Sequence, residues 1–137
     1  MDDTERAISR LRVLAQIESK FQLVEQLRSR VSAKTADIQQ RCEKGGEVAV
    51  AVLNSNAEKI GALADRDKRA GTHFDETVRK FREVSQDAAD ATNADVDRVF
   101  TYTLKSLDRL QSMFETELLD LDSLTEELDR AIQSNPS

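Results

Sequence analysis

The chain carries a single histidine and a single cysteine, which narrows the chemistry open to it. His73, with Asp75 and Glu76 nearby, has the residue types of an acid–base pair or of a metal ligand set. A metal centre needs three or four convergent ligands, and no Glu-x-x-His spacing accompanies this histidine. His73 therefore reads as an exposed side chain near a helix start. Cys42 could act as a nucleophile only beside a base that lowers its pKa. It falls on an apolar stripe, and that placement predicts core packing, where cysteine behaves as a small hydrophobe. A lone cysteine also forbids an intrachain disulfide.

Seven acids, Glu115, Glu117, Asp120, Asp122, Glu126, Glu127 and Asp129, crowd the stretch ahead of Arg130. Paired carboxylates can serve as acid and base or hold Ca²⁺. Here leucines interleave with them at helical spacing and no glycine-kinked calcium loop is present. The strip predicts a solvated helix face able to dock a basic partner. Gly45-Gly46 lack the Lys-Ser/Thr of a phosphate-binding loop and read as a turn. Arg66, Lys68 and Arg69, with Arg79, Lys80 and Arg82, form local basic clusters that could touch anionic lipid heads, but interspersed Asp65, Asp67, Asp75 and Glu76 dilute their field. Nucleophile, base and oxyanion donors converge nowhere, so the expectation is a protein that is not an enzyme and uses no metal and no cofactor.

The elements that must position these residues are helices. Charged residues make up 34% of the 137, apolar ones 39% and aromatics 4%, with one proline, at position 136. Such a mix, nearly free of helix breakers, suits long helices and bundles. In the first segment a heptad reading places Leu14, Phe21, Arg28, Thr35 and Cys42 at one core position and Ile17, Val24, Val31 and Ile38 at the other, with Leu11 and Leu27 widening the stripe. Asp2 and Glu5 give a capping-box-like start. The second stripe runs through Val52, Leu53, Ile60, Leu63, Phe74, Val78, Phe81, Val84 and Ala88. It thins across Asp65–Arg69, yet continuity through Gly71 is expected, because one glycine costs a helix only about 1 kcal/mol. A weakly signalled turn falls near Ala89–Ala94. The third stripe is the densest: Val96, Phe100, Leu104, Leu107, Leu110, Phe114, Leu118, Leu121, Leu124, Leu128 and Ile132.

The fold class is therefore all-α, a single domain over 1–137 with helical segments at about 3–44, 47–90 and 93–134. Two arrangements satisfy the pattern: an elongated three-helix bundle, or a long helical hairpin, each with coiled-coil packing. Arg28 stands out, since a polar seam residue commonly fixes register at some cost in stability. Net charge is −6, divided as +2 over 1–46, −2 over 47–92 and −6 over 93–137. The acidic balance argues against nucleic acid, whose phosphates need a basic surface.

No stretch approaches the roughly 18 apolar residues of a bilayer span, and the polar start Met1–Arg6 has no signal-peptide core behind it. A cytoplasmic protein is expected, with membrane contact peripheral at most. The function expected is that of a non-catalytic scaffold or adaptor, a subunit of a larger assembly of tethering, trafficking or cytoskeletal type. It would pair with helical partners or with itself, and the partner-binding seam falls on Leu107, Leu110, Phe114, Leu121, Leu124 and Leu128. The other reading is a peripheral module laying basic helix faces on anionic lipid.

Overall fold

The computed structural model describes residues 2–86 and 92–134. Three helices contain almost all of them: α1 (Asp3–Ser55), α2 (Ala57–Gln86) and α3 (Asn93–Ser134). No strand occurs among the described residues. Ala88, the turn expected near Ala89–Ala94 and Pro136 fall wholly or partly outside the described residues.

Local signals explain where each helix begins. Asp2 caps α1, its Oδ1 accepting the Glu5 N–H at 2.7 Å. Thr92 and Asp95 form a reciprocal box at the start of α3: the Asp95 N–H donates to the Thr92 hydroxyl at 3.2 Å, and that hydroxyl donates to the Asp95 carboxylate at 2.7 Å.

The Gly45-Gly46 pair breaks the helical backbone inside α1, so that two helical runs meet there at a kink. Gly46 sits at φ 65°, ψ −141°, a conformation that side-chain-bearing residues rarely adopt, and helical structure resumes directly after it. Gly45 is needed for a different reason: a Cβ there would come within 2.7 Å of the Ala49 Cβ and 3.2 Å of the Ile132 Cδ1. The break expected after residue 44 is thus present at Gly46, and a second one, at Asn56, separates α1 from α2. The Asn56 N–H donates to the carbonyls of Val52 and Leu53, each at 3.1 Å, while its own carbonyl accepts the Ile60 N–H at 3.0 Å and starts α2. Its side-chain amide also donates to Val52 O at 3.0 Å, so one buried asparagine closes one helix and opens the next. As expected, α2 runs unbroken through Gly71, and Thr72 donates to the Lys68 carbonyl within the helix rather than capping a new one.

The helices pack as an up-down-up bundle. Ion pairs fix the parallel α1/α3 pair: Lys20 with Asp108 at 3.1 Å, Lys34 with Asp122, and Arg41 with Asp129 at 2.5 Å. Each pair spans the same 88 positions, and the three rungs fall on a seven-residue grid. Arg10 continues the ladder upward to Asp97 at 3.8 Å. The charge gradient seen in the sequence is thus partly satisfied inside the chain. Antiparallel α2 is anchored by aromatics. Phe21 of α1 meets Phe74 and Phe81 of α2 edge-on, with centroids 6.1 and 5.5 Å apart, and Phe81 meets Phe100 of α3 at 5.8 Å.

Burial shows which helix is central. α3 packs along both partners, whereas α1 and α2 touch each other much less. On α1 the line Ile17, Val24, Val31 and Ile38 is buried, while Leu14, Phe21, Arg28 and Thr35 are only half covered. Leu11 does not widen the stripe; it is 64% exposed.

Candidate functional site

Where α1 and α2 part, they leave a groove of ≈ 850 Å³ over α3. Val31, Thr35 and Ile38 of α1 form one wall, and Ile60 and Leu63 of α2 form the other. Leu121, Leu124 and Glu117 of α3 make the floor. Leu53 and Asn54, just before the Asn56 junction, line it as well. The kink at Gly46 and the turn at Asn56 place that short segment beside the groove.

The chemistry of the groove is concentrated at Glu117. This residue is 0% exposed, and among the described residues neither carboxylate oxygen finds a hydrogen-bond donor. Arg66 Nε lies 3.8 Å from it, too far for a hydrogen bond, while the same guanidinium donates to Asp120 at 3.2 Å. Asp67, a second lining acid, has an unsatisfied buried Oδ1. Burial pushes the Glu117 carboxyl up to about 7; Asp67 adds to the rise, Arg66 opposes it, and Asp120 adds a little more. The lining residues of α1 contribute no charge, and Lys68 stands exposed on the α2 side.

Arg28 sits on the same α1 line as Thr35, one heptad earlier. It donates to Asp75 at 3.2 Å, and its guanidinium lies over buried Gly71, where a Cβ would come within 3.0 Å of it. This is the one ion pair that joins α1 to α2 among the described residues.

The residues expected to bind a partner are placed otherwise. Leu107, Leu110, Phe114, Leu121, Leu124 and Leu128 are all buried in the chain's own core. α3 is central and covered on both sides, so a partner could reach most of this line only by opening the bundle. The acidic strip is also largely engaged internally. Asp120, Asp122 and Asp129 pair with Arg66, Lys34 and Arg41, and Glu117 is buried. Of the basic clusters, Arg79 pairs with Glu83 at 2.8 Å, and Lys80 lies over the Tyr102 ring at 5.2 Å. Cys42 is buried, and that burial, with a smaller push from Glu43, raises its thiol pKa. His73 lies in mid-α2, half-buried, not at a helix start. Among the described residues no three His, Cys, Asp or Glu side chains are grouped to hold a metal, and no helix is long and apolar enough to cross a membrane.

A signal for Glu117 was present in the spacing. The residues Val96, Phe100, Thr103, Leu107, Leu110, Phe114, Glu117, Leu121, Leu124 and Leu128 alternate by four and three without a break, and all are buried. Residue type hides Glu117 and Thr103 from an apolar count that selects Leu118 and Leu104 instead. The same alternation in α2, through Leu63, Asp67, Ala70, Phe74, Thr77 and Phe81, puts Asp67 on the inward line. α2 and α3 therefore each carry one charge on this inward line, Asp67 and Glu117, and α1 carries Arg28 and, one heptad before Ile17, Arg10.

Comparisons with protein-family models, with curated proteins and with solved structures found no match.

Proposed function

We propose that this protein is a non-catalytic helical adaptor, a subunit of a larger assembly, that receives a helix of another protein in the groove between α1 and α2. The observation that carries this reading is the parting of α1 and α2, where Val31, Thr35 and Ile38 on one side and Ile60 and Leu63 on the other line an open groove over α3. A three-helix bundle with one unfilled seam has the geometry of a four-helix bundle lacking a member, and helix-in-groove binding uses such a surface. Arg28, docked on Gly71 and paired with Asp75, sets the α1/α2 register from which the groove opens. The wider family of roles, in tethering, trafficking or cytoskeletal structures, draws on the same property of long helices that present seams.

The test is a display selection of amphipathic helical peptides against the whole chain, followed by hydrogen exchange on the complexes. Binders are expected to protect residues 31–39 and 57–68, and to be lost in Ala36→Trp, which fills the groove from the α1 side. A selection that yields no binder, or binders indifferent to Ala36→Trp, defeats the adaptor reading.

A further inference from the structure

We infer that the helix received by this groove carries a lysine or arginine in the middle of its apolar face, and that this cation meets Glu117 and Asp67. The inference rests on the adaptor reading and specifies the chemistry of the partner.

Charge complementarity carries the argument. The groove is apolar over most of its surface, through Val31, Ile38, Ile60, Leu63, Leu121 and Leu124. Within it two acids hold oxygens that no donor among the described residues satisfies. The nearest cation, Arg66, donates through one terminal nitrogen to Asp120, while its Nε, also without a partner among the described residues, stands 3.8 Å from Glu117, beyond hydrogen-bond reach. Arg28 is engaged by Asp75, and the cations of α1 further along, Lys34 and Arg41, are engaged by Asp122 and Asp129 on the other side of α3. The lining itself sets two acids, Asp67 and Glu117, against one cation, the exposed Lys68, and is one positive charge short. Buried acceptors left unmade are expensive, and a carboxylate held that way gains more from an incoming cation than an apolar wall does.

Size agrees with a helix as the occupant. Two turns of α-helix, ~10 Å across and ~5.4 Å per turn, fill on the order of 850 Å³. A cation placed between apolar residues at i−4 and i+3 would lie over Glu117 while its neighbours contact Leu121 and Leu124. Lysine and arginine suit this position, since their methylene stems can lie along the apolar wall.

The experiment uses the full chain and three synthetic fourteen-residue helical peptides with the same leucine face. The central residue of that face is lysine, norleucine or glutamate. The lysine peptide is expected to bind at least tenfold more tightly than the norleucine peptide, and the glutamate peptide least. Glu117→Gln is expected to abolish the advantage of the lysine peptide over the norleucine peptide, and Asp67→Asn to reduce it. Circular dichroism and exchange protection of both variants confirm the intact bundle.

If lysine and norleucine peptides bind equally in the groove, or if the advantage survives Glu117→Gln, the cation inference fails and the adaptor reading stands. If no peptide binds the groove, both fall. Light scattering that shows a second copy filling the groove, with exchange protection at 31–39 and 57–68 rising with protein concentration, also overturns the inference.

Discussion

A carboxylate withdrawn from water, with no donor to replace the water it lost, destabilises the fold that holds it. Glu117 is in that position, with its pKa raised from 4.5 to about 7. The native state therefore binds this proton more tightly than the unfolded state does. Stability from this group is greatest in acid, falls as pH rises from about 4.5 through 7, and is level above that. A shift of this size corresponds to about 3 kcal/mol. Glu117→Gln keeps the shape and removes the charge. It is expected to stabilise the protein by about 1–3 kcal/mol at pH 8 and by much less at pH 5, read as the difference in urea midpoints from the parent chain. An equal loss at both pH values would mean that Glu117 has hydrogen bonds in solution that its surroundings in the bundle do not supply. Cys42 shifts the same way: burial, with a smaller push from Glu43, raises its thiol pKa and favours the protonated form.

At the scale of the elements, Gly46 makes the sharpest prediction. Its φ of 65° with ψ of −141° suits only glycine, and nothing lies near enough to obstruct a side chain. Gly46→Ala is therefore expected to cost about 1–3 kcal/mol through backbone strain alone, seen as a lowered thermal midpoint with unchanged helix content. The inward face of α3 makes a different one. Leu107→Asp with Leu121→Asp would put two carboxylates among core side chains, so loss of helical circular dichroism is expected, not a folded protein that has merely lost a partner. A folded double variant would mean that α3 is not the central helix.

These elements also mark how far sequence could be read. The leucines of α3 recur so regularly that its boundaries and face follow from spacing. The α1/α2 connection was half legible: the glycines mark the break at 46, while a second break is made by Asn56, in a polar Asn54-Ser55-Asn56 cluster. Leu11 misled because it is apolar yet lies off the line set by Leu14 and Ile17. Glu117 and Asp67 kept the period but not the polarity, so the groove chemistry was hidden in residues that an apolar count skips.

Across the whole molecule, electrostatics sets direction more than it sets strength. An exposed pair such as Lys34–Asp122 contributes only about 0–1 kcal/mol. Repeated at one offset, the rungs at 20, 34 and 41 still favour the parallel α1/α3 register over a slipped one. Reversing all three cations to glutamate is expected to destabilise the chain by about 1–3 kcal/mol, and reversing Asp108, Asp122 and Asp129 to lysine in the same chain to restore most of it. The restoration should shrink in 1 M NaCl. Failure of the second set to rescue the first would place α1 and α3 in another register.

An odd number of rods has one more effect. Because α1 and α3 run the same way, Asp3 and Ser134 stand at opposite poles, and the 42 residues of α3 alone span about 60 Å. Whatever is joined to those two poles is held apart by a stiff spacer, which a hairpin of two rods, with both poles on one side, could not provide.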